Sequence, residues 1–287
     1  MATGIEAQER AITQEEADFY DEHGWVFLPG LLPEQVATDL LQRAQALQAK
    51  QDARERELVK ERDKQHKGYT DMNHAVILSM PSQQDDVVRS LVMSKKAGAN
   101  AQKLIGRSVG VRAWANFFLY KAPFRQSEEG ADETIWHQDD PASPRDRSGH
   151  MVMWMSLVHA TPEMGTMRFI SGSHREGSFG NVAIRTPDGD FEGNHLIERH
   201  PRLARHQLSP PFTYRPGDAT VHSGLTLHSA PRNVTNRPRW AFLRAYIPAD
   251  TLNTGAGVLA SNGRTPSEMG IEPNRPFEGP DFPVIYP

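Results

Sequence analysis

Up to Ile105 the apolar positions of this chain fall mainly at helical spacing, and from Val109 onward they fall in short runs bounded by turn residues. Ala11 to Glu22 predicts a first helix, with Thr13 placed to cap it and Glu16 three residues on as its capping-box partner. Gly24 to Gly30 predicts a short buried strand that ends in a turn. Pro33 opens a second helix that runs past Lys50, on which Leu40, Leu41, Ala44 and Leu47 repeat at helical spacing. From Gln51 to Lys67 the chain is almost wholly polar, which predicts a solvated continuation of that helix or a loop. Ala75 to Met80 is a short apolar run, and Asp85 to Ile105 reads as one or two helices.

Val109 to Lys121 carries Val111, Trp114, Phe117, Phe118 and Tyr120, residue types that strands favour. Pro123 to Asp132 is a charged loop, and the stretch with His137 and Asp139 follows as a strand. Met151 to Val158 is apolar on both faces, as in a central strand, and Met167 to Ile170 is a further short one. Ser171 to His174 is a tight loop of mostly small residues. Phe212–Tyr214, Ala219–His222, Leu225–His228 and Arg239–Ile247 complete the strands. Arg175 to Pro211 is long, polar and rich in Gly, Pro and His, which suits a lid or binding loop. Asn253 to Pro287 reads as a wrapping tail. Helices ahead of a run of short strands predict an α+β chain with a sandwich or barrel core. The parts are a helical region over 11–105, a strand core over about 109–248 and a tail over 253–287.

Composition narrows the chemistry more than the fold. At 38% hydrophobic and 24% charged, the chain is an ordinary globular protein. Its net charge of -4 gives no reason to expect nucleic acid or an anionic membrane as partner. No apolar run approaches spanning length, and Met1 to Arg10 lacks the pattern of a signal peptide, so a cytoplasmic location is the default. The chain has no cysteine, which excludes disulfides, thiolate metal sites, iron–sulfur clusters and a cysteine nucleophile. A metal here must be held by histidine and oxygen.

His137-Gln138-Asp139 offers such a set. On a strand, residues two apart point to the same face, so His137 and Asp139 would aim at one point. That makes two-thirds of a 2-His-1-carboxylate facial triad, which holds Fe(II) and leaves positions open for a bidentate 2-oxo acid and dioxygen. A second histidine, His228, is followed eleven residues later by Arg239, whose planar fork suits the distal carboxylate of the co-substrate. Strands joined by a short loop are expected to be neighbours, which puts His228 and Arg239 on one pocket wall. His222 competes for the third ligand position, but the residue eleven places after it is Asn233, which cannot clamp a carboxylate.

Most of the 12 histidines are not ligands. His23, His66, His74, His195, His200 and His206 lie in polar segments and read as solvated surface, and His174 as structural. His150 and His159 flank a strand and are minor candidates for the pocket. Lys121, at a strand end, reads as a snorkelling surface residue. Arg237 and Arg244 read as surface or structural, and Trp154 as core or pocket wall in equal measure.

In this order the motifs resemble the phytanoyl-CoA hydroxylase-like (PhyH) family of Fe(II)/2-oxoglutarate dioxygenases. The resemblance covers most of the chain. It takes in the first helix and the Gly24-to-Pro29 strand, His137-Gln138-Asp139, and Gly165-Thr166-Met167 leading to Gly172-Ser173-His174. It continues through Gly217-Asp218 to His228 and Arg239. It implies a single domain with a double-stranded β-helix, or jelly-roll, core flanked by N-terminal helices. It implies Fe(II) on His137, Asp139 and His228, with 2-oxoglutarate held by Arg239. Gln138, Trp154 and Phe117 match family positions that line the co-substrate or substrate site.

Two departures bear on the site. Ser171 stands where the family usually has proline, and Ala230, next to Ser229, where it often has serine, which touches one hydrogen bond to 2-oxoglutarate. The implied reaction consumes dioxygen and 2-oxoglutarate, releases succinate and carbon dioxide, and oxidises an unactivated C–H bond. Hydroxylation is the default, and desaturation, cyclisation and epoxidation use the same site. Halogenation needs a halide where Asp139 stands. The alternative class is a non-catalytic jelly-roll binding protein or another metal-dependent cupin-type enzyme, which iron-dependent succinate formation would separate. A pocket mixing Trp, Phe and Met with a few polar groups suits a small organic substrate such as a secondary metabolite.

Overall fold

The computed structural model describes Gly4 and residues 8–62, 75–123, 133–180, 196–257, 260 and 264–287. Helix α1, Gln14–His23, starts at Thr13 in a complete capping box with Glu16. Strand β1 is Trp25–Leu28. Helix α2, Glu34–Arg62, turns Val36, Ala37, Leu40, Ala44 and Leu47 inward. The polar stretch expected after Gln51 thus begins as helix, and residues 63–67 lie outside the described residues. Strand β2, Ala75–Ser79, is followed by two helices, α3 Asp86–Val92 and α4 Lys95–Ile105. They are separate because Ser94 adopts an extended backbone and caps α4 through its side chain.

The strands are β3 Val111–Lys121, β4 Thr134–His137, β5 Met151–Ser156, β6 Arg168–Phe169, β7 Ala219–Ser223, β8 His228–Ala230, β9 Arg239–Pro248 and β10 Val284–Tyr286. They form two antiparallel sheets, one in the order β1-β7-β5-β9-β3-β10 with β2 also on β3, the other β4-β8-β6. This is the jelly roll. The lid candidate holds a short helix α5, Leu196–Arg199, and a 3-10 turn over Pro201–Arg205, and residues 181–195 lie outside the described residues. So do most of the loop expected over Pro123–Asp132 and three of the surface histidines, His66, His74 and His195.

Strand parity decides the two faces of the large sheet. Met151, Met153 and Met155 of β5, with Phe118, Phe242 and Tyr246, pack in one cluster with Leu40, Leu91 and Ala97 of the helices. The alternate residues Val152, Trp154, Phe117, Leu243 and Ala245 line a cavity between the two sheets. A register shift between Ala113 and Ala115 lets both Trp114 and Ala115 face that cavity. The tail does wrap: β10 pairs with the edge of β3, and the buried rings of Phe277 and Phe282 lie 4.9 and 5.0 Å from Trp114.

Several local expectations shift. Leu225–Leu227 is a turn, so β8 begins only at His228, and Tyr214 makes an isolated bridge with Ala160 rather than a strand. Arg244 is structural and fully buried: it pairs with Glu9 at 2.7 Å and ties the N-terminal segment to the sheet. Lys121 is not on the surface. Its side chain is buried, and its ammonium donates to the carbonyls of Ala230 (3.2 Å) and Pro231 (2.6 Å). Among the described residues no helix is long and apolar enough to cross a membrane.

Candidate active site

The small sheet brings two histidines face to face. His137 on β4 is the register partner of His228 on β8, with ring centroids 4.1 Å apart. The Nδ1 of His137 lies 2.8 Å from the carbonyl of Ile135, and that of His228 2.9 Å from the carbonyl of Thr226. A carbonyl only accepts, so each Nδ1 carries the proton and each Nε2 presents a lone pair.

Asp139 joins them by a different route from strand alternation. β4 ends at His137, and Asp139 has helical backbone angles at the head of a 3-10 turn, Asp140–Ala142. Its Oδ1 still lies 3.6 Å from Nε2 of His137 and 3.8 Å from Nε2 of His228. One ligand atom from each of the three falls within 4.8 Å of the others. Two neutral imidazoles and a carboxylate without a thiolate fit divalent iron.

His222 completes the cluster without being one of the three. It is buried on β7, and its Nε2 lies 3.2 Å from the outer carboxylate oxygen, Oδ2, of Asp139. An ionised carboxylate accepts, so His222 donates there. Burial pushes the Asp139 carboxyl up, but the imidazoles of His228, His222 and His137 outweigh it and hold it well below the usual range. Burial first, then His137 and His222, hold His228 far below the ordinary imidazole value. Sequence reasoning weighed His222 only as a rival ligand; a histidine within a buried strand was its one signal.

The cavity beside the triad has a volume of about 400 Å³. One end is set by Arg239, whose side chain is buried and stacked over Trp154, 5.2 Å from the ring centroid. Its guanidinium donates to the carbonyl of Gly165. Gly165 has φ +73°, and a Cβ there would sit 2.0 Å from the Pro231 carbonyl, so only glycine fits. Lys121 is the register partner of Arg239 on β3. Trp154, whose indole N–H is buried with no partner among the described residues, and Phe117 both line the cavity. Ala230 lines it too, while Ser229 turns its hydroxyl to Arg168 at 3.1 Å and does not replace the family's serine.

Gln138 does not face the cavity. Its amide nitrogen donates to the carbonyls of Gly177 (2.8 Å) and Leu225 (2.7 Å), and its oxygen accepts from Phe179 N–H (2.8 Å). It pins the start of the lid candidate instead. The reason is its position between two inward-facing ligands, which turns it outward.

The other end lies some six residues along β9, about 20 Å from Arg239 at strand rise. It is formed by Trp114, Val152, Ala245, Ala260 and the loop after Asp139. There Asp140 Oδ1 receives Arg145 at 2.7 Å and lies 3.1 Å from Nδ1 of His150, while Arg145 sits over Trp114 at 4.9 Å. Of the two minor candidates, His150 is therefore in the pocket and His159 is exposed. Arg145 was missed, since a polar loop with two prolines carries no periodic signal.

Residues 20–241 match the family model for phytanoyl-CoA dioxygenase (PhyH). A curated relative, the dioxygenase EasH of Epichloe festucae var. lolii, is 24% identical over 173 residues, 51% of this chain and 92% of that protein. The fold is similar to that of SnoK, a non-heme alpha ketoglutarate dependent carbocyclase from nogalamycin biosynthesis, at 21% identity and TM-score 0.68, covering 95% of this chain and 96% of that one. It is also similar to the epimerase SnoN in complex with Fe3+, alpha ketoglutarate and nogalamycin RO, at 23% identity and TM-score 0.68, covering 95% and 98%. EctD from S. alaskensis, with 2-oxoglutarate and 5-hydroxyectoine, follows at 19% identity and TM-score 0.64, covering 94% and 88%. Because the family model spans well over half of its length, this chain belongs to the phytanoyl-CoA dioxygenase (PhyH) family and is an Fe(II)/2-oxoglutarate-dependent oxygenase.

Proposed function

We propose that this protein oxidises a C–H bond of a small organic molecule such as a secondary metabolite, with hydroxylation as the default and desaturation, cyclisation or epoxidation as outcomes of the same site. The observation that carries the reading is the convergence of His137, Asp139 and His228 at a mainly apolar cavity closed at one end by Arg239. The three side chains hold the iron through the two Nε2 atoms and the Asp139 carboxylate. Bound iron, with dioxygen and 2-oxoglutarate, supplies the oxidant, and succinate and carbon dioxide are the by-products. Arg239 clamps the distal carboxylate of 2-oxoglutarate, with Trp154 under its guanidinium. Trp154 and Phe117 line the apolar wall of the same cavity. His222 occupies the outer oxygen of Asp139 and leaves the inner one for the metal.

The test is Asp139→Ala. The jelly-roll core does not depend on this partly exposed side chain, so circular dichroism and the melting temperature should change little. Fe(II) affinity should fall and iron-dependent conversion of 2-oxoglutarate to succinate should vanish. Wild-type-like turnover in the variant would remove the reading. Retention of all three ligands with Arg239 favours an enzyme over a non-catalytic binding protein.

A further inference from the structure

The far end of the cavity holds a polar group that the reaction just described does not use, the imidazole of His150. Strand β5 places it there. His150 comes just before Met151, two and four residues ahead of Val152 and Trp154, so alternation turns it to the face those two line. The ladder reaches this far, because Gly224 N–H donates to the His150 carbonyl at 2.9 Å. The side chain is 4% exposed and borders the cavity away from Arg239.

The loop after Asp139 fixes how the ring faces and which nitrogen carries its proton. Nδ1 lies 3.1 Å from Asp140 Oδ1 and 3.0 Å from a terminal nitrogen of Arg145, and that nitrogen lies 2.7 Å from the same Oδ1. Three such distances make a nearly equilateral triangle. The two N–H bonds of one guanidinium nitrogen diverge too widely to serve both other corners, and the shorter, charge-assisted bond to the carboxylate takes one of them. Nδ1 is therefore the donor to Asp140, and Nε2 carries the lone pair. Nε2 makes no hydrogen bond among the described residues, and it is not sealed from solvent as the Nε of Arg145 is. Burial first, then the Arg145 charge, holds the imidazole below its ordinary value and keeps it neutral.

What this end offers a ligand is thus one acceptor. A carbonyl, ether or carboxylate would set lone pair against lone pair at Nε2. Arg145 and Asp140 match each other's charge, so an ionised ligand group would be buried without a counter-ion. Around them Trp114, Val152, Ala245 and Ala260 give apolar walls.

We infer that His150 is a specificity-determining residue of this oxygenase, accepting a hydrogen bond at Nε2 from the substrate, and that the substrate is an uncharged, mainly apolar molecule bearing a hydroxyl. This rests on the oxygenase reading of the same cavity. The hydroxyl sits at the far end, and the apolar body extends from it toward the triad.

The test uses the enzyme loaded with Fe(II) and 2-oxoglutarate under argon, so that Arg239 is already engaged. Three probes are titrated calorimetrically: 2-(2-naphthyl)ethanol, its methyl ether and 2-(2-naphthyl)ethylamine. In wild type the alcohol should bind about tenfold tighter than the ether, because only the alcohol can donate to the buried acceptor. It should also bind tighter than the amine, whose ammonium finds no counter-ion. In His150→Phe, which keeps a ring and the Arg145–Asp140 pair, the alcohol should lose about tenfold and the ether should not. An alcohol that binds no tighter than its ether in wild type, no binding of any probe at millimolar concentration, or an advantage that survives His150→Phe would overturn the inference. Tightest binding by the amine would overturn the uncharged class. The wild-type comparison stands even where the variant does not fold. Iron and 2-oxoglutarate affinities are measured in the same samples. Normal loading without a preference for the alcohol sinks this inference alone, whereas failure to load sinks the oxygenase reading.

Discussion

Replacing Arg239 with glutamine should weaken 2-oxoglutarate binding about a hundredfold and leave iron binding unchanged. Arg239 is 4% exposed and stacked on Trp154, so a carboxylate bound there is shielded from water on both sides. Removing one partner of such a buried pair costs roughly 3–5 kcal/mol, and each 1.4 kcal/mol or so is tenfold in affinity. Lys121, buried on the neighbouring strand, keeps one cation nearby and puts the expected loss at the lower end of that range. Arg239 also supports the fold through its bond to Gly165. Glutamine keeps a donor but not the reach, so about 1 kcal/mol of stability is lost, or a few degrees in Tm. The assay is calorimetric titration of 2-oxoglutarate into Fe(II)-loaded protein under argon, which needs no substrate. Arg239→Lys should recover only part of the affinity, because a point charge cannot make the two-pronged contact. 2-Oxovalerate, which lacks the distal carboxylate, should bind wild type and Arg239→Gln alike. Unchanged 2-oxoglutarate affinity in the glutamine variant would refute the clamp and point to Lys121. Loss of iron in step with loss of 2-oxoglutarate would make Arg239 a structural residue.

Two further outcomes test neighbouring parts of the site. Gln138→Leu strands the carbonyls of Gly177 and Leu225 and the N–H of Phe179. It should cost on the order of 2–4 kcal/mol in urea unfolding and leave 2-oxoglutarate affinity untouched; lost affinity with unchanged stability would return Gln138 to the co-substrate site. The pH dependence of stability follows from His150 and His228, both held below the ordinary imidazole value, chiefly by burial. The unfolded chain then binds more protons than the folded one below about pH 6.5, so stability falls as pH drops, by about 1.4 kcal/mol per unit for each imidazole that stays neutral. Asp139 and Asp140 are lowered as well and add their losses only below the ordinary aspartate range, under about pH 4. The urea midpoint of the metal-free protein should therefore decline from pH 7 to 5, and a flat profile would contradict the burial of neutral imidazoles.

The sequence by itself determined whatever depends on neighbours a few residues apart. The Thr13–Glu16 capping box and the alternation of Val152 and Trp154 with the methionines of β5 are set by local backbone geometry. The candidate ligands were legible for the same reason, since the absence of cysteine left histidine and carboxylate, and the spacing from His228 to Arg239 spans one short strand-to-strand connection. Tertiary structure decided which polar side chains face which way. Asp139 joins His137 and His228 from a helical turn, a departure from strand alternation that no two-residue frame reveals. Lys121 is buried because the carbonyls that hold it come from β8 and the loop after it, 109 and 110 positions away. Arg244 is buried because Glu9, 235 positions away, meets it. His222 became a partner of Asp139 only when β7 was paired against β5, 83 positions from the carboxylate it supports. Arg145 drew no notice in sequence because what fixes it is tertiary: it is buried against Asp140 and stacks over Trp114 of β3.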